Sequence, residues 1–356
     1  MKIAFCINIE EFNNNQIFIK ENALKYIGAY WLYIFKHSNP NFEIVTGDIA
    51  LDFVQKNIWN PNEIRIIQEL NSYHGYQLIK KGAIPFLITC SESPLYAYKF
   101  YDNVYNISKN FKYRIFFSGL YENNKFDFGQ NFIMKFPNYN HIVNYNKPWE
   151  NRKDIVLVAS NKKIKVKINL PTYINFIQFF NSWLDIVRMI FSKHLRYAKK
   201  NELLSMRIEF IQKFSEIFEI YIYGKNWENN FLNFNVKILN SCDDKITTMS
   251  NFKYAICFEN VQYPGYITEK IIDCFNAGVI PIYKGAPDVL NFIPANTFIN
   301  VDDFRNFEDI VDYINNTDNE IFMNMVKNGK KFLELNPMYS SKGFSTFVSN
   351  LFYIHE

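Results

Sequence analysis

One stretch of this chain gathers residues able to meet a phosphorylated ligand: Phe258-Glu259-Asn260, a short loop, then Tyr266-Ile267-Thr268-Glu269-Lys270. Free backbone N–H groups and the dipole at a helix start attract an anion, and Lys270 adds a full positive charge. A second candidate is Glu92, in Cys90-Ser91-Glu92-Ser93-Pro94. It falls just past the end of an expected strand, where open α/β sheets place their chemistry. Pro94 keeps the residue before it extended. The plainer reading is a capping carboxylate, with Ser91 or Ser93 as the true cap. Position alone leaves both open. Arg207, at the head of a helical pattern, reads by itself as a solvent-facing charge.

The elements that must hold these groups are legible as patterns. Tyr254–Phe258 is a short apolar run, the mark of a buried strand. Ile271, Ile272, Phe275 and Ala277 follow at helical spacing, closing at Gly278. Val279–Tyr283 is a second strand, so the unit is strand, loop, helix, strand, as in a parallel sheet. In the first half, Lys2–Ile9, Phe42–Val45, Ile84–Thr89 and Tyr113–Phe117 read as strands. Glu21–Lys36, Pro61–Leu78 and Tyr98–Ser108 read as helices. This alternation is that of an open parallel α/β sheet. Residues 121–154 are polar and Asn-rich, with Pro137 and Pro148, and place a domain boundary near 150. Domains of 1–150 and 151–356 result. In the second, Asp154–Ser160 opens the sheet, and Tyr221-Ile222-Tyr223-Gly224 is a further strand and turn. Residues 171–200 form an aromatic and basic helical insertion. It reads either as core-packed helices with a solvated basic end or as an amphipathic helix on an anionic membrane face.

Composition narrows the class. A chain of 356 residues is long enough for two domains, each with its own core. Its 39 Lys and Arg nearly balance 35 Asp and Glu, so no concentrated basic excess suggests a nucleic-acid partner. The 36 Phe and 24 Tyr go with abundant Asn, Ile and Lys, a bias that AT-rich coding explains more simply than binding does. Five cysteines have no zinc spacing and three lie in apolar runs, which fits a reducing cytoplasm. The start of the chain reaches Glu10 and Glu11 too soon for a signal peptide. No uncharged apolar run approaches the roughly 20 residues of a membrane helix. The expectation is a cytoplasmic protein, with at most peripheral contact with the inner face of the cytoplasmic membrane.

With these motifs laid out, the second half resembles the family 10 glycosyltransferases, the bacterial and animal α1,3/α1,4-fucosyltransferases. The matching residues are Phe258-Glu259-Asn260, Tyr266 to Lys270, Val279-Ile280-Pro281-Ile282-Tyr283, Gly285-Ala286-Pro287, Phe292-Ile293-Pro294 and Phe298 to Phe304. Weaker matches lie at Trp149, Arg152, Ser160-Asn161, Arg207 and Tyr223-Gly224, and Glu92-Ser93-Pro94 looks like the glutamate segment of the animal members. The resemblance implies a GT-B fold, two facing Rossmann-like domains with the active site in the cleft. It implies transfer of L-fucose from GDP-β-L-fucose, with inversion, to a GlcNAc- or Gal-containing glycan, such as the lipopolysaccharide of a bacterial surface. Glu92 is then the base, and Arg207 and Lys270 hold the diphosphate. Tyr223, Gly224, Asn260, Tyr266 and Glu269 line the donor. No cofactor or metal is expected, so Asp243-Asp244 and Asp302-Asp303 read as loop or capping residues. The rival readings are a transferase using another GDP-deoxysugar and a catalytically silent sugar-nucleotide-binding protein.

Overall fold

The computed structural model describes residues 1–122, 124–139, 148–161, 187, 189–227, 230–231, 233–239 and 241–353. Its first sheet has six strands: β1 Lys2–Cys6, β2 Glu43–Thr46, β3 Ile64–Glu69, β4 Ile84–Thr89, β5 Tyr113–Phe116 and β6 Gln130–Ile133. They pair in the order β2-β1-β3-β4-β5-β6, every pair parallel. The second sheet has β7 Lys153–Val158, β8 Ile220–Tyr223, β9 Val236–Leu239, β10 Phe252–Phe258, β11 Ile280–Lys284 and β12 Ile299–Asn300. Its order is β12-β11-β10-β7-β8-β9, again parallel. Crossover helices cover both faces of such sheets, which is why β5, β10 and β11 are buried nearly end to end.

Three of the differences from the sequence reading shape the site and its domains. Ile64, Ile67 and Leu70 fit one face of a helix, yet β3 occupies this stretch and the helix is confined to Tyr73–Lys80. Branched isoleucines favour the pleated chain, and β3 lies between β1 and β4, so burial on both faces erases the alternation a strand would announce. The expected helix Glu21–Lys36 is broken into Lys20–Leu24 and Tyr30–Ser38, with a tight turn at Ile27–Ala29. The bend lets Trp31 and Phe35 pack against the last helix of the chain. That last helix, Ser341–Tyr353, is the third difference. A division at 150 gives it to the second domain, but Phe344, Val348, Leu351 and Phe352 are buried in the first domain's core.

The chain therefore passes between the two sheets twice. Beside these passages Asn138 and Ser340 bridge in parallel, with Asn138 N–H donating to Tyr339 O at 2.9 Å and Ser341 N–H to Asn138 O at 2.8 Å. The strand C-terminal ends of the two sheets face each other. Ser118, after β5, donates to Asp288 Oδ2 at 2.7 Å, and Val261, Tyr263 and Tyr266, after β10, pack into the first core. Most of the expected insertion at 171–200 lies outside the described residues. Its described end is the helix Lys193–Lys200, which buries Leu195 and Ala198. His194 of that helix meets Asp102 of the helix Pro94–Ser108 at 2.8 Å. No described helix is long and apolar enough to cross a membrane.

Candidate active site

The end of β10 organises the second domain's contribution. Helix Glu269–Ala277 begins after Thr268 and ends at Gly278, whose φ of 58° is the left-handed turn a glycine takes at a helix C-terminus. Glu259 is fully buried. It accepts from Thr268 N–H at 2.9 Å, from Thr268 Oγ1 at 2.9 Å and from Lys270 Nζ at 2.8 Å. Lys270 also reaches Thr268 Oγ1 at 2.8 Å. Burial would favour neutral Lys270, but the Glu259 and Glu269 charges outweigh it and raise its pKa, so it stays an ammonium. Burial likewise opposes Glu269 as a carboxylate. Lys270, Lys245 and the helix N–H groups nevertheless hold its pKa down to about 2.

Arg207, in the first turn of the helix Leu204–Phe214, is not solvent-facing. It is buried, and its Nη2 donates to Phe258 O at 2.6 Å and Glu259 O at 3.1 Å. These carbonyls end β10, where the chain leaves the sheet and loses its ladder partners. Burial lowers the pKa of Arg207, against the pull of Glu259. Its Nε is buried with no hydrogen-bond partner among the described residues. A buried donor left unpaired costs about 1–3 kcal/mol, so this guanidinium is a fixed charge with a hydrogen bond still to give. Arg207 and Lys270 thus converge on one post, Glu259.

The remaining donor candidates fall into two groups. Asn260 is half-buried and its carbonyl accepts from Leu203 N–H at 3.1 Å, tying the β10 loop to the start of the Arg207 helix. Tyr266 is buried, its ring 5.1 Å from Phe117 of the first domain. Burial, joined by the charges of Glu92, Glu259 and Glu269, pushes its hydroxyl pKa far up. Tyr223 and Gly224 are not brought into this cluster. They end β8, two strands from β10, roughly 10 Å at about 4.8 Å per strand. Gly224 has φ 156°, and a Cβ there would lie 2.1 Å from Ala159 O, so only glycine lets the two strand ends approach. Ala159 in turn lines a small gap with Lys245 and Lys270, so both groups share one edge of the sheet.

Facing this edge is Glu92. Its Oε1 accepts from Ser93 N–H at 2.7 Å, while its carbonyl accepts from Tyr101 hydroxyl at 2.8 Å. Ser93 precedes the helix Pro94–Ser108 and makes no side-chain cap, so the carboxylate itself takes a donor at the helix start. The capping geometry and the functional position coexist in one side chain. Glu92 also lines a cavity of about 450 Å³ with Lys25, Tyr26, Trp31 and Glu69 of its own domain and Glu269 of the other. Tyr96, part-exposed one turn on, registers the same meeting. Burial raises its pKa, and its hydroxyl feels Glu92 from one side and Arg207 and Lys270 from the other. Asp244 caps the helix Lys245–Met249, Asp302 pairs with Lys284, and Asp303 accepts from Asn300, so each has a structural partner.

Two residues of this site carry no role in the sequence reading. Glu259 stands in the quoted motif, and only its burial reveals it as the post for both cations. Glu69 is hidden by the reading of β3 as helix, which puts no strand end, and hence no site position, at that residue.

Two facing parallel sheets with charged groups at their opposed strand ends make this a GT-B architecture. Residues 192–327 match the family described as glycosyltransferase family 10 (fucosyltransferase), C-terminal. This stretch, just over a third of the chain, thus matches the family that the sequence resemblance indicated. Among its relatives, the alpha-(1,3)-fucosyltransferase FucT of Helicobacter pylori is 36% identical over 132 residues, which are 36% of this chain and 25% of that protein. The 4-galactosyl-N-acetylglucosaminide 3-alpha-L-fucosyltransferase 9 of Mus musculus is 30% identical over 129 residues, 36% of this chain and 31% of the relative. The matches thus span between a quarter and a third of these curated relatives. A solved alpha1,3-fucosyltransferase with GDP superposes with a TM-score of 0.50 at 20% identity, covering 95% of this chain and 89% of that one. Anabaena Alr3699/HepE with UDP and glucose superposes at 0.59 with 11% identity, covering 99% of both chains. At these identities the likeness is one of fold.

Proposed function

We propose that this chain is an inverting glycosyltransferase that moves L-fucose from GDP-β-L-fucose to a hydroxyl of a GlcNAc- or Gal-containing glycan. A bacterial surface glycan, assembled at the cytoplasmic side of the membrane, is the proposed acceptor. One observation carries the reading: a single cavity has Glu92 on one wall and, on the other, Glu269 at the start of the helix that bears Lys270. The acceptor oxygen attacks the anomeric carbon and forms the new C–O bond. The bond from that carbon to the β-phosphate oxygen breaks, and GDP leaves with the electron pair. Glu92 takes the acceptor proton. Arg207 and Lys270 meet the charge the diphosphate gains, Arg207 with its fork of donors and Lys270 as a point charge, so this mechanism calls on no metal. The family 10 match and a relative named as an alpha-(1,3)-fucosyltransferase support fucose as the sugar.

The test is a donor and acceptor screen read by mass spectrometry. Wild-type protein with GDP-fucose is expected to add one deoxyhexose to a galactose- or N-acetylglucosamine-containing acceptor. Glu92→Gln is expected to lose about 10²–10⁴-fold in rate while GDP binding by calorimetry stays intact. Wild-type turnover in that variant would refute the base. GDP binding with no transfer from any GDP-sugar would leave a silent binder.

A further inference from the structure

We infer that Glu69 is the positioning residue for Glu92, holding the loop that carries the base and setting its basicity. The inference rests on Glu92 being the base, as proposed above. Glu69 ends β3 directly beside Thr89, which ends β4, and the loop bearing Glu92 starts at the next residue. Its carboxylate accepts from Ser91 N–H at 2.8 Å, from Ser91 Oγ at 2.7 Å and from Thr89 Oγ1. Three donors flanking the turn into Glu92 thus close on one side chain. A strand end is otherwise the place where a chain is free to take several paths, because its ladder partners stop there.

Glu69 also lines the cavity that Glu92 lines, so a second carboxylate faces the same space. Like charges in one site disfavour ionisation, which keeps a base able to hold a proton. Burial pushes the pKa of Glu69 up, and its three hydrogen bonds oppose that push. The titratable groups facing this pair are Cys90, Tyr96 and Tyr101 of the first domain, Lys25 and Tyr26 across the cavity, and Tyr266 and Glu269 of the second. Of these, Cys90 feels the charges of both Glu69 and Glu92, which adds to the burial that pushes its thiol up.

The experiment is the pH profile of kcat and kcat/KM for Glu69→Gln, Glu69→Ala and Glu92→Gln beside wild type, with thermal unfolding and GDP affinity recorded for each. Glu69→Ala removes both anchor and charge, and kcat is expected to fall about 10- to 100-fold with donor KM within twofold. Glu69→Gln keeps an acceptor for Ser91 and loses the charge. Its acid limb is expected to move to lower pH by about 0.5–1 unit, with a smaller loss of kcat. Where Glu69→Ala does not fold, Glu69→Gln carries the test. An inactive Glu92→Gln beside a Glu69→Gln with unshifted acid limb and wild-type kcat overturns the positioning role and spares the base. A fully active Glu92→Gln overturns both.

Discussion

Glu259→Gln tests whether one buried carboxylate organises the donor side. Glu259 is fully buried and its carboxylate accepts from three donors, the Thr268 N–H, the Thr268 hydroxyl and the Lys270 ammonium. Glutamine can keep the Thr268 N–H bond through its carbonyl, but its amide then points two donors at the Lys270 ammonium. Breaking a buried pair by removing one partner costs about 3–5 kcal/mol. Lys270 is 19% exposed, so water recovers part of this, and about 2–4 kcal/mol is the expected loss. For a domain of this size that is a drop of roughly 5–15 °C in the donor domain's unfolding temperature. The sign with pH follows from Lys270. Its folded pKa is raised above the ordinary 10.5, so its stabilisation is whole below that value and fades only as pH rises through the raised one. Urea unfolding at pH 7 therefore reads the full effect. Lys270→Met alone strands a buried carboxylate and should cost as much. The double variant should recover most of the loss, because neutralising both partners of a buried pair is often nearly neutral. Losses that add within about 0.5 kcal/mol would refute the coupling.

Two further outcomes are expected beside those for Glu92 and Glu69. Arg207→Lys removes the guanidinium, whose Nη2 meets the Phe258 and Glu259 carbonyls and whose Nε has a hydrogen bond still to give, and GDP affinity by calorimetry should weaken by some 2–5 kcal/mol; unchanged affinity removes Arg207 from the site. Glu269 has a folded pKa of about 2 against an ordinary 4.5, so its stabilisation is present above pH 4.5 and is lost as pH falls toward 2. Glu269→Gln should flatten stability against pH in that window, and an unchanged acid limb of unfolding would contradict the pairing with Lys270 and Lys245.

What was legible in the sequence follows from how locally each feature is determined. β10, its loop and the helix after it read correctly because a short apolar run, a polar break and a closing glycine are all signals within the stretch. β3 did not, since a strand buried on both faces has no period, and three isoleucines and leucines can fall at helical spacing by chance. Losing β3 also lost Glu69. The burial of Arg207 depends on carbonyls 51 and 52 residues away, which no local pattern records. Glu92 was legible from the strand before it and Pro94 after it, but its cavity is built from segments more than a hundred residues apart.

The paired passages between the domains have a mechanical meaning. A chain that crosses once can swing its two halves freely. Here Asn138 and Ser340 run side by side, and at the opposed strand ends Gly119 N–H donates to Pro264 O at 3.2 Å, so a swing about the paired tethers has to break that backbone bond. Asn138 also donates to Asp273 Oδ1 at 2.7 Å, in the helix that starts with Glu269 and Lys270. The pivot is thus bolted to the donor helix itself. Removing the last helix would cost the molecule one of its two tethers and the apolar cover of its first core in a single cut.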